Sequence, residues 1–337
     1  MDNRAVYFTA PGQVEVRAAP LPSLQSGEIL VKTLLSAISP GTEKLIYQGL
    51  FPDDLLIDDS LPGITKEFCY PLTYGYAAVG RIVDAGHEVD QSWLDRLVFA
   101  FQPHQAYCIS RISDIHPVPP GIKLEDAVFL ANMETAVNLV MDGAPLIGEN
   151  IAVCGQGVVG LMTTALLSRF PLSNLITLDP ISSRRQVSLN FGATASLTPE
   201  SLESMQVFES LAKGGADLTF ELSGSPEALN LAIQITGFSG RIVIGSWYGQ
   251  KRASLDLGGR FHRSRIRLIS SQVSTLAPAL SGRWDKSRRF DLAWEMIPKI
   301  CPGQLITHQL PLDSAPQAYR MLAEEQDETL QIVFTYD

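Results

Sequence analysis

A glycine-rich turn in the middle of the chain has the spacing of a phosphate-binding loop. Gly155, Gly157 and Gly160 follow a short apolar run and stand at the head of an apolar helical pattern that begins with Val158 and Val159. The first glycine permits a tight turn, the second lets the backbone approach a pyrophosphate, and the third lets the helix pack on the strand. The helix N-terminus offers free N–H groups to phosphates. This pattern predicts a dinucleotide site; the alternative is a glycine-rich turn in another kind of βαβ unit.

An acidic residue stands where such a loop requires one. The next apolar run ends on Asp179, 19 residues beyond Gly160, where a carboxylate would accept both hydroxyls of an adenosine ribose. A free Asp179 repels a 2′-phosphate and therefore favours NAD as the cofactor. Arg184 and Arg185 follow closely, and they keep NADP open as the alternative because guanidinium groups bind phosphates.

The bulk composition bounds the class of protein. The chain has 337 residues, of which 45% are hydrophobic and 18% charged, with a net charge of −10. This length suggests two domains, and the charge argues against a nucleic-acid partner. We expect no membrane segment and a cytoplasmic protein, because the apolar runs are short and the N-terminus lacks a signal-peptide core. The four cysteines form no CxxC, which argues against a disulfide framework or a four-cysteine zinc site.

The order of predicted elements indicates an α/β protein in which a doubly wound parallel sheet is inserted in a β-rich domain. Short β-rich runs punctuated by Pro and Gly fill the first 120 residues, which is typical of a small, mostly antiparallel barrel. From about Leu124, helices and strands alternate, and the predicted strands are residues 151–154, 175–178, 218–222, 241–245 and 266–269. A helix (315–325) and a strand (330–335) then return to the first domain. The long acidic segment 51–71 is expected to form a lid over the substrate.

The whole chain resembles the medium-chain dehydrogenase/reductase superfamily, the relatives of alcohol and sorbitol dehydrogenases. The likeness runs from residues 5–12, through 27–32, to the closing helix and strand. It implies a GroES-like catalytic domain (1–123 plus 296–337) interrupted by a Rossmann nucleotide-binding domain (124–295). The segments that most resemble the branch including bacteriochlorophyllide a dehydrogenase, which oxidises a hydroxyethyl side chain on a tetrapyrrole, are 36–44, 70–76, 305–308 and 315–319.

The chain departs from the zinc-dependent members of this superfamily at two ligand positions. Pro40 stands where they carry the cysteine of Cys-Gly-Thr-Asp, and Tyr76 stands where they carry the histidine of Gly-His-Glu. The four-cysteine lobe for structural zinc is missing too. A catalytic zinc needs about three protein ligands, so we expect no metal. Rebuilding a site from Glu43, His104 and Glu134 is the alternative.

Zinc-free hydride transfer needs another group near the carbonyl oxygen. The resemblance implies that Tyr76 points into the substrate cleft between the two domains. There it would donate a hydrogen bond to the developing alkoxide or merely fill the volume that a metal occupies in zinc-dependent members. His104 would relay a proton or be structural, and Glu43 would organise rather than act as a base. Glu134 would orient a catalytic group or cap backbone amides.

The resemblance assigns further residues to the cofactor and to the assembly. Thr135 is expected beside the nicotinamide, and Ser223, Gly245 and Ser246 are expected to line the cofactor pocket. Arg184 stands about five residues past the acid, where an arginine of NAD-using relatives can pack over the adenine. The basic cluster of residues 260–267 would clamp an anionic substrate group or form a solvated edge. The last predicted strand, about residues 265–271, would leave an unpaired edge unless it is covered. We therefore expect a homodimer through the Rossmann domain, with a loop at 276–280 as the alternative cover.

These expectations define the predicted function. The protein is expected to be a zinc-independent oxidoreductase that transfers a hydride between NAD(H) and a secondary alcohol or carbonyl, acting on a small molecule. The apolar side chains of the expected lid hint at a bulky substrate. One alternative is an NADPH-dependent enone or quinone reductase, and another is a nucleotide-binding redox sensor without turnover.

Overall fold

The computed structural model describes residues 2–52, 69–199, 201–325 and 327–336. Residues 53–68, which form most of the lid expected over residues 51–71, therefore lie outside the described residues. The chain divides into two compact units. The first comprises residues 1–131 and 297–337, and the second comprises residues 132–296.

The strands are numbered along the chain. They are β1 (Arg4–Ala10), β2 (Gln13–Ala18), β3 (Glu28–Ala37), β4 (Leu72–Thr73), β5 (Ala78–Ala85), β6 (Leu97–Ala100), β7 (Tyr107–Arg111), β8 (Ile115–Pro117), β9 (Asn150–Cys154), β10 (Asn174–Leu178), β11 (Ala195–Leu197), β12 (Ala216–Glu221), β13 (Thr236–Ile244), β14 (Arg267–Ser270), β15 (Ile306–Pro311) and β16 (Gln331–Thr335).

The α-helices are numbered in the same way. They are α1 (Thr42–Tyr47), α2 (Leu124–Ala127), α3 (Leu130–Gly143), α4 (Val158–Leu167), α5 (Ser182–Asn190), α6 (Leu202–Leu211), α7 (Pro226–Ile235), α8 (Lys286–Ile300) and α9 (Ala315–Glu324). None of the helices in the described part of the chain is long and apolar enough to cross a membrane.

The second unit is built on a six-stranded parallel sheet. Its strand order is β11-β10-β9-β12-β13-β14, and every neighbouring pair is parallel. Chain order runs outward from β9 in one direction and from β12 in the other, so the order reverses between these two strands. This is the doubly wound dinucleotide-binding topology, and the predicted fold class is confirmed. The helix α4 is apolar on all sides and almost wholly buried, as expected of a crossover helix inside the unit.

The first unit is β-rich. A seven-stranded sheet has the order β15-β16-β3-β5-β6-β8, with β7 also paired to β3, and a smaller sheet has the order β2-β1-β4. The pairings are antiparallel apart from the parallel pair of β15 and β16. The C-terminal helix α9 packs its apolar face into the same core as β1 and β16, through Tyr319, Phe8 and Phe334.

Two of the predicted elements have different bounds in the structure. The alternation of elements after Leu124 predicts a helix over residues 127–141, and this helix is α3, which begins three residues later, at Leu130, and ends at Gly143. Ala127 is the last residue of the separate short helix α2. The strand expected at residues 241–245 begins five residues earlier, at Thr236, and includes a register shift against β12.

Candidate functional site

The glycine-rich turn connects β9 to α4 through close backbone contacts. Gly155 has a φ of +93°, and a Cβ there would lie 2.5 Å from the Cα of Ser223. A Cβ on Gly160 would lie 2.0 Å from the carbonyl oxygen of Gly155. Neither contact can be relieved by moving a flexible side chain, since both partners are backbone. These two glycines therefore hold the loop against β12 and against itself, as the strand–turn–helix pattern predicts.

Gly157 differs from its two neighbours because it faces open space. Its φ is −70°, which any residue can adopt, and no atom lies within 4 Å of the position of a Cβ. It is the residue before α4, and the first-turn N–H groups of that helix, including those of Val158 and Val159, have no partner within the helix. Open space beside a helix N-terminus is the cradle that a pyrophosphate requires. The geometry of the loop thus fits a dinucleotide.

Asp179 lies directly after β10 with its side chain buried. One carboxylate oxygen accepts from the backbone N–H of Gln156 in the glycine loop, at 2.7 Å, and the other accepts from that of Ile181, at 2.8 Å. The guanidinium of Arg185 donates to the carbonyl oxygens of Asp179 and Pro180. The carboxylate therefore stands beside the loop with its orientation fixed and with lone pairs remaining for further donors.

The other cofactor candidates lie in the same unit. Ser223 and Ser246 follow β12 and β13, and the hydroxyl of Ser246 accepts from the N–H of Gly224 at 2.9 Å. Gly245 has no room for a side chain, since a Cβ there would meet Leu139 and Leu222. Thr135 in α3 and Arg184 in α5 are half-buried.

A buried hydrogen-bonded cluster in the first unit contains two of the predicted catalytic residues, and a third lies at its edge. Glu43 in α1 and His104 have no exposed surface, and the Nε2 of His104 lies 3.0 Å from the Oε2 of Glu43. That same oxygen accepts from the hydroxyl of Tyr319, while Oε1 accepts from the N–H of Ser39. The structure brings Glu43 and His104 into direct contact.

The cluster has a consistent set of donors and acceptors. An ionised carboxylate only accepts, so the proton of His104 lies on Nε2 and its Nδ1 accepts. Nδ1 lies 2.6 Å from the hydroxyl of Ser36, which lies 2.7 Å from the hydroxyl of Tyr336. Donation thus runs from Tyr336 through Ser36 and His104 to Glu43. Each buried polar group is satisfied, which avoids a cost of about 1–3 kcal/mol for each group left unpaired.

Tyr76 lies at the edge of this cluster and is partly exposed. Its hydroxyl lies 2.5 Å from that of Ser39, the residue whose backbone N–H binds Glu43. Burial raises the pKa of Tyr76, hydrogen bonds with Ser39 and Thr42 oppose that shift, and the charge of Glu43 adds to it. Its phenol is therefore a protonated group in the working range of pH.

Glu134 does not contribute to this cluster. In the second unit its carboxylate accepts from Nε and Nη2 of Arg289, and the side chain of Arg289 has no exposed surface. The guanidinium also donates to Asn138 and to the carbonyl oxygens of Val273 and Thr275. Burial raises the pKa of Glu134, and the charge of Arg289 opposes that shift. Glu134 thus binds a guanidinium rather than backbone amides, and it holds α8 and the segment after β14 to α3.

Among the described residues, the side chains of the buried cluster do not fit a metal centre. The buried cluster offers one imidazole and one carboxylate, which bind each other, and its other members are hydroxyls. Among the residues that the structure describes, no group of three or more His, Cys, Asp or Glu side chains could hold a metal ion. A zinc site needs about three such ligands.

Sequence reasoning missed several residues that complete these sites. Ser36, Tyr319 and Tyr336 are distant in the chain, and although Ser36 and Tyr319 lie in segments that carry the resemblance, their residue types alone assigned them no role. Glu221, the last residue of β12, is a fully buried carboxylate at the cofactor side of the sheet, and it accepts from the hydroxyls of Ser223 and Tyr248. An acidic residue at the end of an apolar strand was the available signal for Glu221.

The open space at Gly157 leads to a prediction. Gly157→Ala should leave the melting temperature unchanged, because the protein has room for the methyl group and φ is permissive. It should weaken dinucleotide binding by about tenfold or more, because the methyl group occupies the approach of the pyrophosphate. Fluorescence titration with NADH and thermal melts measure the two quantities.

Gly160→Ala is the matched comparison. Its methyl group would meet the carbonyl oxygen of Gly155 at 2.0 Å, so this variant should melt at a lower temperature. A Gly157→Ala protein that binds NADH as tightly as the wild type would contradict the assignment of the loop.

Comparisons with known proteins show which proteins this chain is similar to in sequence and in fold. Residues 158–289 match the family described as "Zinc-binding dehydrogenase". D-guloside 3-dehydrogenase of Escherichia coli K12 is 22% identical, over 91% of this chain and 92% of its own. Among solved structures, 2R,3R-butanediol dehydrogenase from Bacillus subtilis superposes with a TM-score of 0.81 at 17% identity, covering 99% of this chain and 100% of its own. A short chain alcohol dehydrogenase (rspB) from E. coli CFT073, complexed with NADH, gives 0.80 at 18% identity and full coverage of both chains.

These relatives span nearly the whole chain, and its fold is shared with dehydrogenases of known structure. The chain is therefore similar to zinc-type dehydrogenases in sequence and in fold, in agreement with its resemblance to the medium-chain dehydrogenase/reductase superfamily.

Proposed function

We propose that this protein transfers a hydride between NAD(H) and a secondary alcohol or the corresponding carbonyl, without zinc. The nicotinamide supplies the hydride chemistry when it is bound, and the chain must position the substrate and handle one proton. The observation that carries the proposal is the phenol of Tyr76, held by Ser39 at the edge of the buried Glu43–His104 pair. Relatives named for D-guloside and butanediol support an alcohol as the substrate.

Tyr76 is the proposed hydrogen-bond donor to the substrate oxygen. That oxygen gains negative charge as the hydride reaches the carbonyl carbon, so a donor aimed at it lowers the barrier. Because burial raises the pKa of Tyr76, the hydroxyl keeps its proton and can donate rather than act as a base. Glu43 and His104 are fully buried, and we assign them to positioning Ser39 and Tyr76.

NAD is the proposed cofactor rather than NADP. The carboxylate of Asp179 is fixed beside the glycine loop by two backbone N–H groups, where it would accept the ribose hydroxyls and repel a 2′-phosphate. The guanidinium of Arg185 is engaged with two backbone carbonyl oxygens. Because the guanidinium donates to the backbone in this way, we do not assign it to binding a 2′-phosphate.

Zinc independence rests on the types of residue at the site. Pro40 and Tyr76 replace the cysteine and histidine of zinc-dependent relatives, and Glu43 and His104 satisfy each other. A metal entering the cluster would have to break hydrogen bonds that five side chains share. We therefore assign to Tyr76 the part that a Lewis acid plays in those relatives.

The role of Tyr76 can be tested by removing its hydroxyl. Tyr76→Phe should lower kcat/KM by about 10²-fold, the usual effect of losing one donor to a developing oxyanion, while the Kd for NADH stays unchanged. The substrate comes from a turnover screen of polyol, sterol-like, pterin and tetrapyrrole alcohols with NAD and NADP.

The control is Tyr7→Phe, the same chemical change on β1, where the ring faces the guanidinium of Arg17. It should leave kcat/KM unchanged. An equal loss of kcat/KM in Tyr76→Phe and Tyr7→Phe would contradict the proposed role of Tyr76. Turnover seen only as NADPH-dependent reduction of enones or quinones would contradict the proposed reaction.

The absence of zinc can be tested by metal analysis. The purified protein should contain well under one zinc per chain by elemental analysis, and a chelator should leave turnover unchanged, since no ligand set is available in the buried cluster. About one tightly bound zinc per chain, lost together with activity, is the contrary result.

We also propose that the protein is a homodimer through the nucleotide-binding unit. β14 is the terminal strand of the parallel sheet, and in the described residues it pairs with β13 on one side. Leu268 and Ile269 on this strand are partly exposed. Residues 276–280, the alternative cover, include turns but no strand or helix. Pairing β14 with its copy about a two-fold axis would satisfy the free edge.

The dimer can be tested by light scattering after size exclusion. The wild type should give about twice the chain mass of 36.8 kDa, and Ile269→Lys should shift it toward one chain because it places a charge in the strand pairing. Leu202→Lys on the exposed face of α6 is the control and should stay dimeric. A wild-type mass near 36.8 kDa at micromolar concentration ends the proposal.

A further inference from the structure

A buried carboxylate lies at the cofactor side of the parallel sheet. Glu221 ends β12, and its side chain has no exposed surface. One oxygen accepts from the N–H of Ser223, at 2.8 Å, and from its hydroxyl; the other accepts from the hydroxyl of Tyr248, at 2.5 Å. Three donors aimed at one carboxylate satisfy it as an anion.

The partners of Glu221 are all uncharged. Within the part of the chain that the structure describes, the ion pairs involve other acidic residues, and the nearby Lys251 donates to the carbonyl oxygen of Gly224 instead. Acidic side chains that are fully buried are normally paired with a cation. The negative charge of Glu221 acts on its surroundings. Burial is the largest cause that raises the pKa of Tyr248 and of Cys154, and the charge of Glu221 is the second.

The position of Glu221 identifies the part of the ligand that it faces. It pairs in register with Cys154, the residue before the glycine loop, across the point where the strand order reverses. A dinucleotide lies across that point, with one nucleotide on each half of the sheet. Asp179 marks the half on the β10 side for the adenosine ribose. The half that contains β12 and β13 is left for the nicotinamide nucleoside.

We infer that Glu221 sets the preference of the enzyme for the oxidation state of its cofactor. NAD⁺ carries a positive charge on the nicotinamide ring and NADH does not, so a buried anion without a cation partner favours the oxidised form. The cation missing from the protein is supplied by the ligand. This inference rests on the proposed nicotinamide cofactor, and it adds that the carboxylate discriminates between its two forms.

The same contacts also allow a purely mechanical role. Through Ser223 and Tyr248, Glu221 ties the turn after β12 to the loop after β13, and Ser246 adds a further bond to Gly224. Loss of that tie would weaken both forms of the cofactor equally. Only a charge effect changes the ratio of the two affinities, so the ratio is the quantity to measure.

The experiment is calorimetric titration of the full-length protein with NAD⁺ and with NADH, in the absence of substrate. In Glu221→Gln the amide can keep the geometry, because the hydroxyl of Tyr248 can accept as well as donate. We expect the Kd for NAD⁺ to rise about tenfold, equivalent to ~1.4 kcal/mol, and the Kd for NADH to change by less than about twofold.

Tyr248→Phe is the matched control. It removes a hydrogen bond from the same carboxylate and keeps the charge, so it should change both Kd values by the same factor. Equal weakening of NAD⁺ and NADH in Glu221→Gln, with the fold intact by circular dichroism, would overturn the inference.

The wild type provides a test that does not depend on a variant that folds. The inference requires NAD⁺ to bind at least as tightly as NADH, and a wild-type protein that binds NADH more tightly than NAD⁺ overturns it. Failure of the wild type to bind either form is a different result, because it would remove the proposed cofactor itself.

Discussion

The first unit is organised around the need to satisfy one buried charge. Glu43 has no contact with solvent, and an ionised carboxylate in such a place is stable only when donors surround it. His104, Tyr319 and the backbone of Ser39 provide those donors. They come from the loop before β7, from α9 and from the segment after β3. The requirement of a single side chain therefore fixes three parts of the unit relative to one another.

The cluster also shows how hydrogen bonds alone can hold a polar centre inside a fold. The imidazole ring of His104 packs against Gly75, where a Cβ would lie 2.9 Å from the ring. The backbone N–H of His104 donates to the carbonyl oxygen of Tyr74. The segment that ends on Tyr76 is thus built around the ring of His104. A directed chain of hydrogen bonds fills the volume, and its geometry is set by backbone contacts rather than by coordination. Tyr76, at the exposed edge, is the member of this segment through which the cluster could act on a substrate.

The features predictable from sequence are those with a local cause. The glycine loop, its flanking strand and helix, and Asp179 lie within the 30 consecutive residues 150–179, and each has a steric or electrostatic reason for its place. The buried cluster has no such signature, because Ser36 and Tyr336 are 300 residues apart and Glu43 and Tyr319 are 276 apart. The roles assigned to these residues in binding and catalysis stay predictions.

The three glutamates that are buried in the described part of the chain differ in how far their charge is compensated. Glu134 faces a guanidinium, so little of its potential extends beyond the pair, and the pair acts as a fixed joint between α3 and α8. Glu43 is balanced by an imidazole, a phenol and a backbone N–H. Glu221 has neutral donors alone. Since an uncompensated buried charge costs stability, a protein has reason to retain one where a ligand brings the opposite charge. By that reasoning the least compensated of the three glutamates is the one to connect with the cofactor, and it is the one that ends a strand at the reversal point of the sheet.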